Sequence, residues 1–204
     1  MHHYRLPSGL FLQSDPIRFH GGDVNIYRYV GNNTVNFIDP SGLLATVTNT
    51  SGVTVTVGTA KELHDVIKAA PANSIKDINI AGHANQTTQG ISDDRAASER
   101  VELGSSGRPQ LTGPSLGDSP IDFGAILTGK MTSSGNITFD GCRAGSEKTS
   151  PENPTGNNLP KATSSVVPDI TTKGSRTPTF GRTPSTNNTP IPGTTNTYRN
   201  GQKI

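Results

Sequence analysis

Apolar and polar residues alternate in short stretches along this chain, broken by turn-forming clusters, and only a few stretches show a helical period. Ala45 to Val57 (ATVTNTSGVTVTV) alternates β-branched and small residues around Ser51-Gly52, which predicts a β-hairpin. Thr59 and Glu62 have the spacing of a capping box. Leu63, Val66, Ile67 and Ala70 follow at helical spacing before Pro71, so a helix is expected there. Ile75 to Ala81 (IKDINIA) and Asn136 to Asp140 (NITFD) read as strands ending at Gly82-His83 and Gly141-Cys142. Between them, Ser119 to Asp122 is expected to cap a helix bearing Phe123, Ile126 and Leu127. Leu159, Ala162, Thr163 and Val166 predict another helix, running from an Asn158 cap to Pro168, with a strand after it over Asp169 to Lys173. Residues 85–118 and 174–195, rich in Ser, Thr, Gly, Asn and Pro, read as long loops, the second one flexible. Near the end, Asn200-Gly201 carries a type I′ hairpin signal. Strands alternating with helices predict an α/β fold with a largely parallel sheet flanked by helices.

Composition narrows the function classes. Of 204 residues, 23 are Gly and 15 are Pro, and 30% are hydrophobic. An average globular domain has roughly 45–50% apolar residues, so one compact domain with loose ends is expected. No apolar run approaches the roughly 18 residues of a spanning helix, and no membrane partner is expected. The formal net charge of +2 is too small for a phosphate-neutralising surface, so nucleic acid is not an expected partner. The first residues lack the apolar stretch of a Sec signal peptide, which points to export by a signal-peptide-independent route. Cys142 is the single cysteine, so no disulfide forms within the chain. There is no CxxC, HxE or HExxH, and His2, His3 and His20 have no ligand spacing with Cys142; no metal and no cofactor are expected. Asp93, Asp94 and Glu99, with Arg95 and Arg100 among them, read as a solvated helix turn, and His64 as a partly exposed structural residue.

Gly9 to Leu43 (GLFLQSDPIRFHGGDVNIYRYVGNNTVNFIDPSGL) holds strand and turn signals with Asp-Pro at both ends. This segment closely resembles the Rhs repeat-associated core, the end of large toxin-delivery shells. The resemblance implies that residues 1–43 are a remnant of that core, and that Asp15 and Asp39 serve self-cleavage with the cut after Leu43. Residues 44–204 would then be the variable toxin domain. Arg18 stands where the family usually has Gly, and Thr34 where it usually has Pro. Read without the family, Asp15 and Asp39 simply start turns, as Asp before Pro often does. The resemblance further implies an enclosing shell or secretion apparatus and a cognate immunity protein. The toxin would be held in the producer cytoplasm and act in the target-cell cytoplasm, in interbacterial competition. So short a piece of core builds no shell, and the chain is expected to be a displaced toxin cassette or the C-terminal fragment of a longer protein.

Function must then be read from residues 44–204. In an open parallel sheet, ligands sit beyond the carboxyl ends of the strands, and both Gly-His and Gly-Cys fall at such ends. Neighbouring strands lie about 4.8 Å apart, so adjacent strands would place His83 and Cys142 across one cleft. A thiol beside an imidazole becomes a better nucleophile, and His83 can give a proton to a leaving amine. Gly141 would let a substrate backbone approach, and the N–H groups of Ala84 and Cys142 could face an oxyanion. IKDINIAGHA and NITFDGCRAG resemble the two motif blocks of the caspase-like (clan CD) cysteine peptidases, and the helix LPKATSSVV with its following strand fits what comes after the cysteine there. That resemblance implies a caspase-like scaffold, Cys142 as nucleophile, His83 as general acid and base, backbone amides as oxyanion hole, and a protein substrate in the target cell. Ala84 stands where that family has Gly. Taken singly, Cys142 also fits a small buried hydrophobe and His83 a hydrogen-bonded turn residue. Three functions stay open: a cysteine endopeptidase toxin, a toxin attacking nucleic acid or NAD through other residues, and a non-catalytic binding module on the same scaffold.

Overall fold

The structure, a computed structural model, describes residues 4–5, 10–11, 45–91, 98–117, 119–141, 143–149, 153–176 and 195–204. Asp15, Arg18, Thr34, Asp39 and Leu43 lie outside the described residues, as do Asp93, Asp94, Arg95 and Cys142. In the first region two short strands, β1 (Tyr4–Arg5) and β2 (Leu10–Phe11), pair antiparallel.

The predicted hairpin is β3 (Ala45–Asn49) with β4 (Thr54–Val57). The Asn49 side-chain oxygen accepts from the N–H groups of Ser51 and Val53, and Gly52 supplies a φ of 85° that closes the turn. Helix α1 (Ala60–Ala69) starts as its sequence dictates: the Thr59 hydroxyl accepts from the Glu62 N–H at 3.2 Å. Glu62 reaches back to accept from the Gly58 N–H at 2.8 Å, one residue before the cap. Ala60, Leu63 and Ile67 turn inward.

The other elements are β5 (Ile75–Ala81), β6 (Thr88–Gly90), β7 (Arg100–Leu103), β8 (Pro109–Thr112), β9 (Ile121–Asp122), α2 (Phe123–Leu127), β10 (Met131–Asp140), α3 (Leu159–Val166), β11 (Thr171–Ser175), β12 (Thr195–Arg199) and β13 (Gln202–Lys203). Asn158 caps α3 as expected, accepting from the Lys161 N–H at 2.9 Å. Helix α2 is capped by Asp122, which accepts from Ala125, and not by Ser119. Asn200-Gly201 forms the expected turn between β12 and β13, with φ of 49° and 74°.

A seven-stranded sheet runs in the order β13-β12-β11-β10-β5-β3-β4. The α/β class holds, but the sheet is mixed and not largely parallel. Only β5, β10 and β11 run parallel, and each flank is built of antiparallel pairs. The outermost pairs, β3/β4 and β12/β13, are short hairpins, which reverse the chain without a crossover.

Helices do not flank the sheet on both sides among the described residues. Val47, Ile78, Ile80, Ile137 and Phe139 from the sheet form one buried cluster with Leu63, Ile67, Phe123, Leu127 and Leu159 from α1, α2 and α3. Cross-strand register puts Val47, Ile78 and Ile137 in one row of that face, and Ala45, Ile80 and Phe139 in the next. The alternate positions Thr46, Asn79 and Thr138 form a row on the opposite face, with Thr48, Asp77 and Asn136 beside it. There the Asn136 amide donates to the Asp77 carboxylate at 2.9 Å. One apolar and one polar face suit a sheet covered on a single side.

Residues 85–118, expected to be a long loop, instead carry most of a second, four-stranded antiparallel sheet in the order β6-β7-β8-β9. Val101 and Leu111 pair across it and are fully buried. Glu99 and Arg100 are likewise not on a solvated helix turn. Arg100 opens β7 and pairs with Glu102 at 2.7 Å. Glu99 is buried, and its carboxylate accepts from the N–H of Ala60 (2.7 Å), the N–H of Ser115 (2.8 Å) and the hydroxyl of Ser115 (2.7 Å). A carboxylate at the first N–H of α1 also suits the positive end of that helix. Glu99→Ala leaves the buried N–H of Ala60 and the partly buried N–H of Ser115 without their acceptor and is expected to cost about 2–3 kcal/mol, read as a lower urea midpoint at unchanged m-value.

Candidate active site

Parallel pairing of β5 with β10 sets Phe139 opposite Ile80 and Asp140 opposite Ala81, so both strands leave the sheet at the same end. After β5 the chain turns back in a tight hairpin. The Gly90 N–H donates to the His83 carbonyl at 2.8 Å, and the Asn85 N–H to the Thr88 carbonyl at 2.9 Å. The Asn85 side-chain oxygen accepts from the N–H groups of Thr87 and Thr88. His83 is exposed on this hairpin, and its imidazole has no hydrogen-bond or ion-pair partner among the described residues. Ala84 sits opposite Gln89, where the flanking residues make the hairpin bonds. Its N–H therefore points away from the ladder and has no acceptor among the described residues.

Cys142 itself lies outside the described residues, but both neighbours are placed. Gly141 is buried, and a Cβ there would overlap the Ala84 methyl and come within 2.6 Å of the Gly82 carbonyl oxygen and 2.7 Å of the Gln89 side-chain oxygen. The residue bonded to Cys142 thus touches the residues on either side of His83. The space left by the missing side chain of Gly141 is filled by the histidine hairpin. Arg143, on the other side of Cys142, has a φ of 61°. The other described non-glycine residues with positive φ are Asn73, Asp169 and Asn200, types that tolerate it. For arginine this conformation stores on the order of 1–3 kcal/mol, and such strain concentrates at functional sites.

The segment after Cys142 is anchored from three directions. The Gly145 N–H donates to the Ser175 carbonyl at 2.8 Å, at the end of β11. The Gly145 carbonyl accepts from the Asn196 amide at 2.8 Å and the Tyr198 hydroxyl at 3.4 Å, both on β12. Asn158 donates to the Tyr198 hydroxyl at 3.0 Å and to the Ser146 carbonyl at 3.3 Å. Burial pushes the Tyr198 phenol above its ordinary pKa. On the exposed side, the Lys203 ammonium holds the Glu147 carboxyl below the usual carboxylate range, at 2.8 Å. That contact is complete above the ordinary Glu range and is lost as pH falls through the lowered value.

Two glutamines connect the hairpin to these surroundings. The Gln86 amide nitrogen donates to the carbonyls of Ser146 (3.1 Å) and Lys148 (2.6 Å), which joins the loop after His83 to the loop after Cys142. The Gln89 amide, fully buried, donates to the carbonyls of Gly82 and Gly90, both at 3.2 Å. Because both neighbours only accept, the amide nitrogen must face them, and its oxygen, beside Gly141, has no partner among the described residues. Sequence reasoning did not find Gln86, Gln89, Asn196 or Tyr198. Asn158 was expected only as a cap.

Among the described residues no cluster of His, Cys, Asp or Glu could hold a metal ion, and no helix is long and apolar enough to cross a membrane. His64, half-buried on α1, contacts Asp65 through Nδ1 at 2.9 Å. A cavity of about 180 Å³ opens at the other end of the large sheet, between Asn73, Leu127, Met131 and Asp169. Comparison with family models, with curated proteins and with solved structures finds no match to this chain.

Gly82→Ala tests the packing. A methyl there would overlap the backbone carbonyl of Gly90, which cannot rotate aside. The substitution is expected to cost about 2–3 kcal/mol and to lower the thermal midpoint, whereas Gly52→Ala meets open space and pays only for its positive φ.

Proposed function

We propose that this chain carries the toxin domain of an Rhs-type effector and acts as a cysteine endopeptidase through His83 and Cys142. The observation that supports this reading best is the packing of Gly141 against Gly82 and Ala84, which bracket His83. The parallel register of β5 and β10 supports it further, because both motif blocks end at one rim. The layer arrangement departs from the caspase-like resemblance, which implies helices flanking a largely parallel sheet. The reading therefore rests on the strand ends and not on the scaffold.

In the proposed reaction the Cys142 thiol gives its proton to His83, and the thiolate attacks the scissile carbonyl carbon of a substrate protein. The resulting oxyanion takes hydrogen bonds from the Ala84 and Cys142 N–H groups. The C–N bond breaks, the imidazolium donates its proton to the leaving amine, and a thioester remains on Cys142. His83 then takes a proton from water as that water attacks the thioester, and returns it to the departing thiolate. No metal or cofactor enters these steps. The Rhs resemblance supplies the setting: delivery into the cytoplasm of a competing cell, a shell or secretion apparatus, and an immunity protein guarding the producer.

Cys142→Ala and His83→Ala, each expressed in susceptible cells, are expected to lower toxicity by at least roughly 100-fold with circular dichroism unchanged. New N-termini should appear in the proteome only with the wild-type chain. Full toxicity from either variant would overturn the reading. So would degraded RNA or DNA, or depleted NAD, without new N-termini.

A further inference from the structure

We propose that Gln86 is the positioning residue of this site, and that its amide fixes the loop after Cys142 against the loop that bears His83. The inference rests on the His83–Cys142 reading for its catalytic consequence, but its geometry stands apart from it. A primary amide has two N–H groups, and the nitrogen of Gln86 lies within hydrogen-bond distance of two carbonyls of a single loop, Ser146 and Lys148. Two acceptors on one short segment hold both its distance and its orientation. At the other end, the Gln86 carbonyl accepts from the N–H of Leu159 at 3.0 Å, the first residue of α3. That N–H belongs to the helix start and has no partner within the helix. Gln86 is thus held by its backbone to α3 while its side chain holds the cysteine loop.

Among the described residues the other polar anchors of that loop come from β11, β12, Asn158 and, at Glu147, Lys203, and none of them is a side chain of the histidine hairpin. Loss of Gln86 leaves them in place. The loop stays attached to the fold but loses its direct polar tie to the hairpin. The expected defect is therefore one of alignment between imidazole and thiol, with the protein still folded.

Cys142 is the single cysteine, so alkylation by iodoacetamide reads that thiol alone in the full chain. Its rate against pH gives the apparent thiol pKa and a limiting rate constant. In the wild type the pKa is expected below the free-thiol value of about 8.5, and His83→Ala should move it up. Gln86→Met keeps the side-chain length without donors. It is expected to move the pKa at least halfway to the His83→Ala value and to lower kcat on the cleaved substrate by roughly 10-fold or more, with KM changed less than about 3-fold. Gln86→Asn, shorter by one methylene and still soluble at the surface, serves if the methionine variant does not fold, with the same direction expected.

A wild-type thiol profile in both Gln86 variants, alongside a shifted His83→Ala profile, overturns this inference and leaves the dyad standing. An unshifted His83→Ala profile instead sinks the dyad. The role of Gln86 is then read from the limiting rate constant, expected to change by roughly 3-fold or more on release of the loop; an unchanged constant overturns it in that case as well.

Discussion

Two parallel neighbours in a sheet deliver their chains to the same edge, one strand spacing apart, and the pairing of β5 with β10 does this for the segments ending in Gly82-His83 and Gly141-Cys142. Their register is enforced by the core. Ile78 and Ile80 sit opposite Ile137 and Phe139, all fully or almost fully buried, and a slip of one residue would turn each of them to the polar face. The same burial that stabilises the sheet therefore fixes where its two loops begin. Close approach of those loops then depends on Gly141, since a side chain there would collide with the histidine hairpin, while Gly82 lets that hairpin close on its own Gly90.

What the core does not fix is left to polar side chains. The histidine hairpin is closed by Asn85, and the loop after Cys142 is tied by Asn158, Asn196, Tyr198 and Gln86. Hydrogen bonds of this kind contribute only about 1 kcal/mol each, but they carry direction, which apolar packing does not. The buried oxygen of Gln89, which has no partner among the described residues, and the left-handed backbone at Arg143 both work against stability, and both sit at this rim. Such local costs are tolerated where neighbouring structure over-determines the conformation.

Legibility in the sequence followed the range of the forces involved. Thr59 and Asn158 announced their helices because a cap is a contact over three residues, and Asn200-Gly201 announced its hairpin because only a few residue types take two successive positive φ values. The alternation in IKDINIA and NITFD was also present to be read. Strands covered on both faces tend toward continuous apolar runs, so isoleucines and phenylalanine alternating with Asp, Asn and Thr mark a sheet with one covered face. Strands β7 and β8 escaped notice because RVEL and PQLT are short, polar and, in one case, start with proline. Their pairing depends on Val101 meeting Leu111 from another part of the chain. Glu99 looked like one charge in a solvated run, since nothing near it in sequence reveals that the start of α1 lies against it.

At the candidate site, His83 and the glycines stood out because strand ends are visible in the periodicity. Gln86 and Gln89 carried no signal, because a glutamine in a polar loop looks the same whether it meets water or a carbonyl far along the chain. The sequence by itself determined the local elements, their caps and turns, and the residue types available for chemistry, all of which arise from interactions within a few positions. Only the tertiary structure decided which strands became neighbours, which face was covered, and which polar groups met across the rim. Those outcomes depend on burying apolar surface and satisfying hydrogen bonds between segments that approach one another only when the whole core closes.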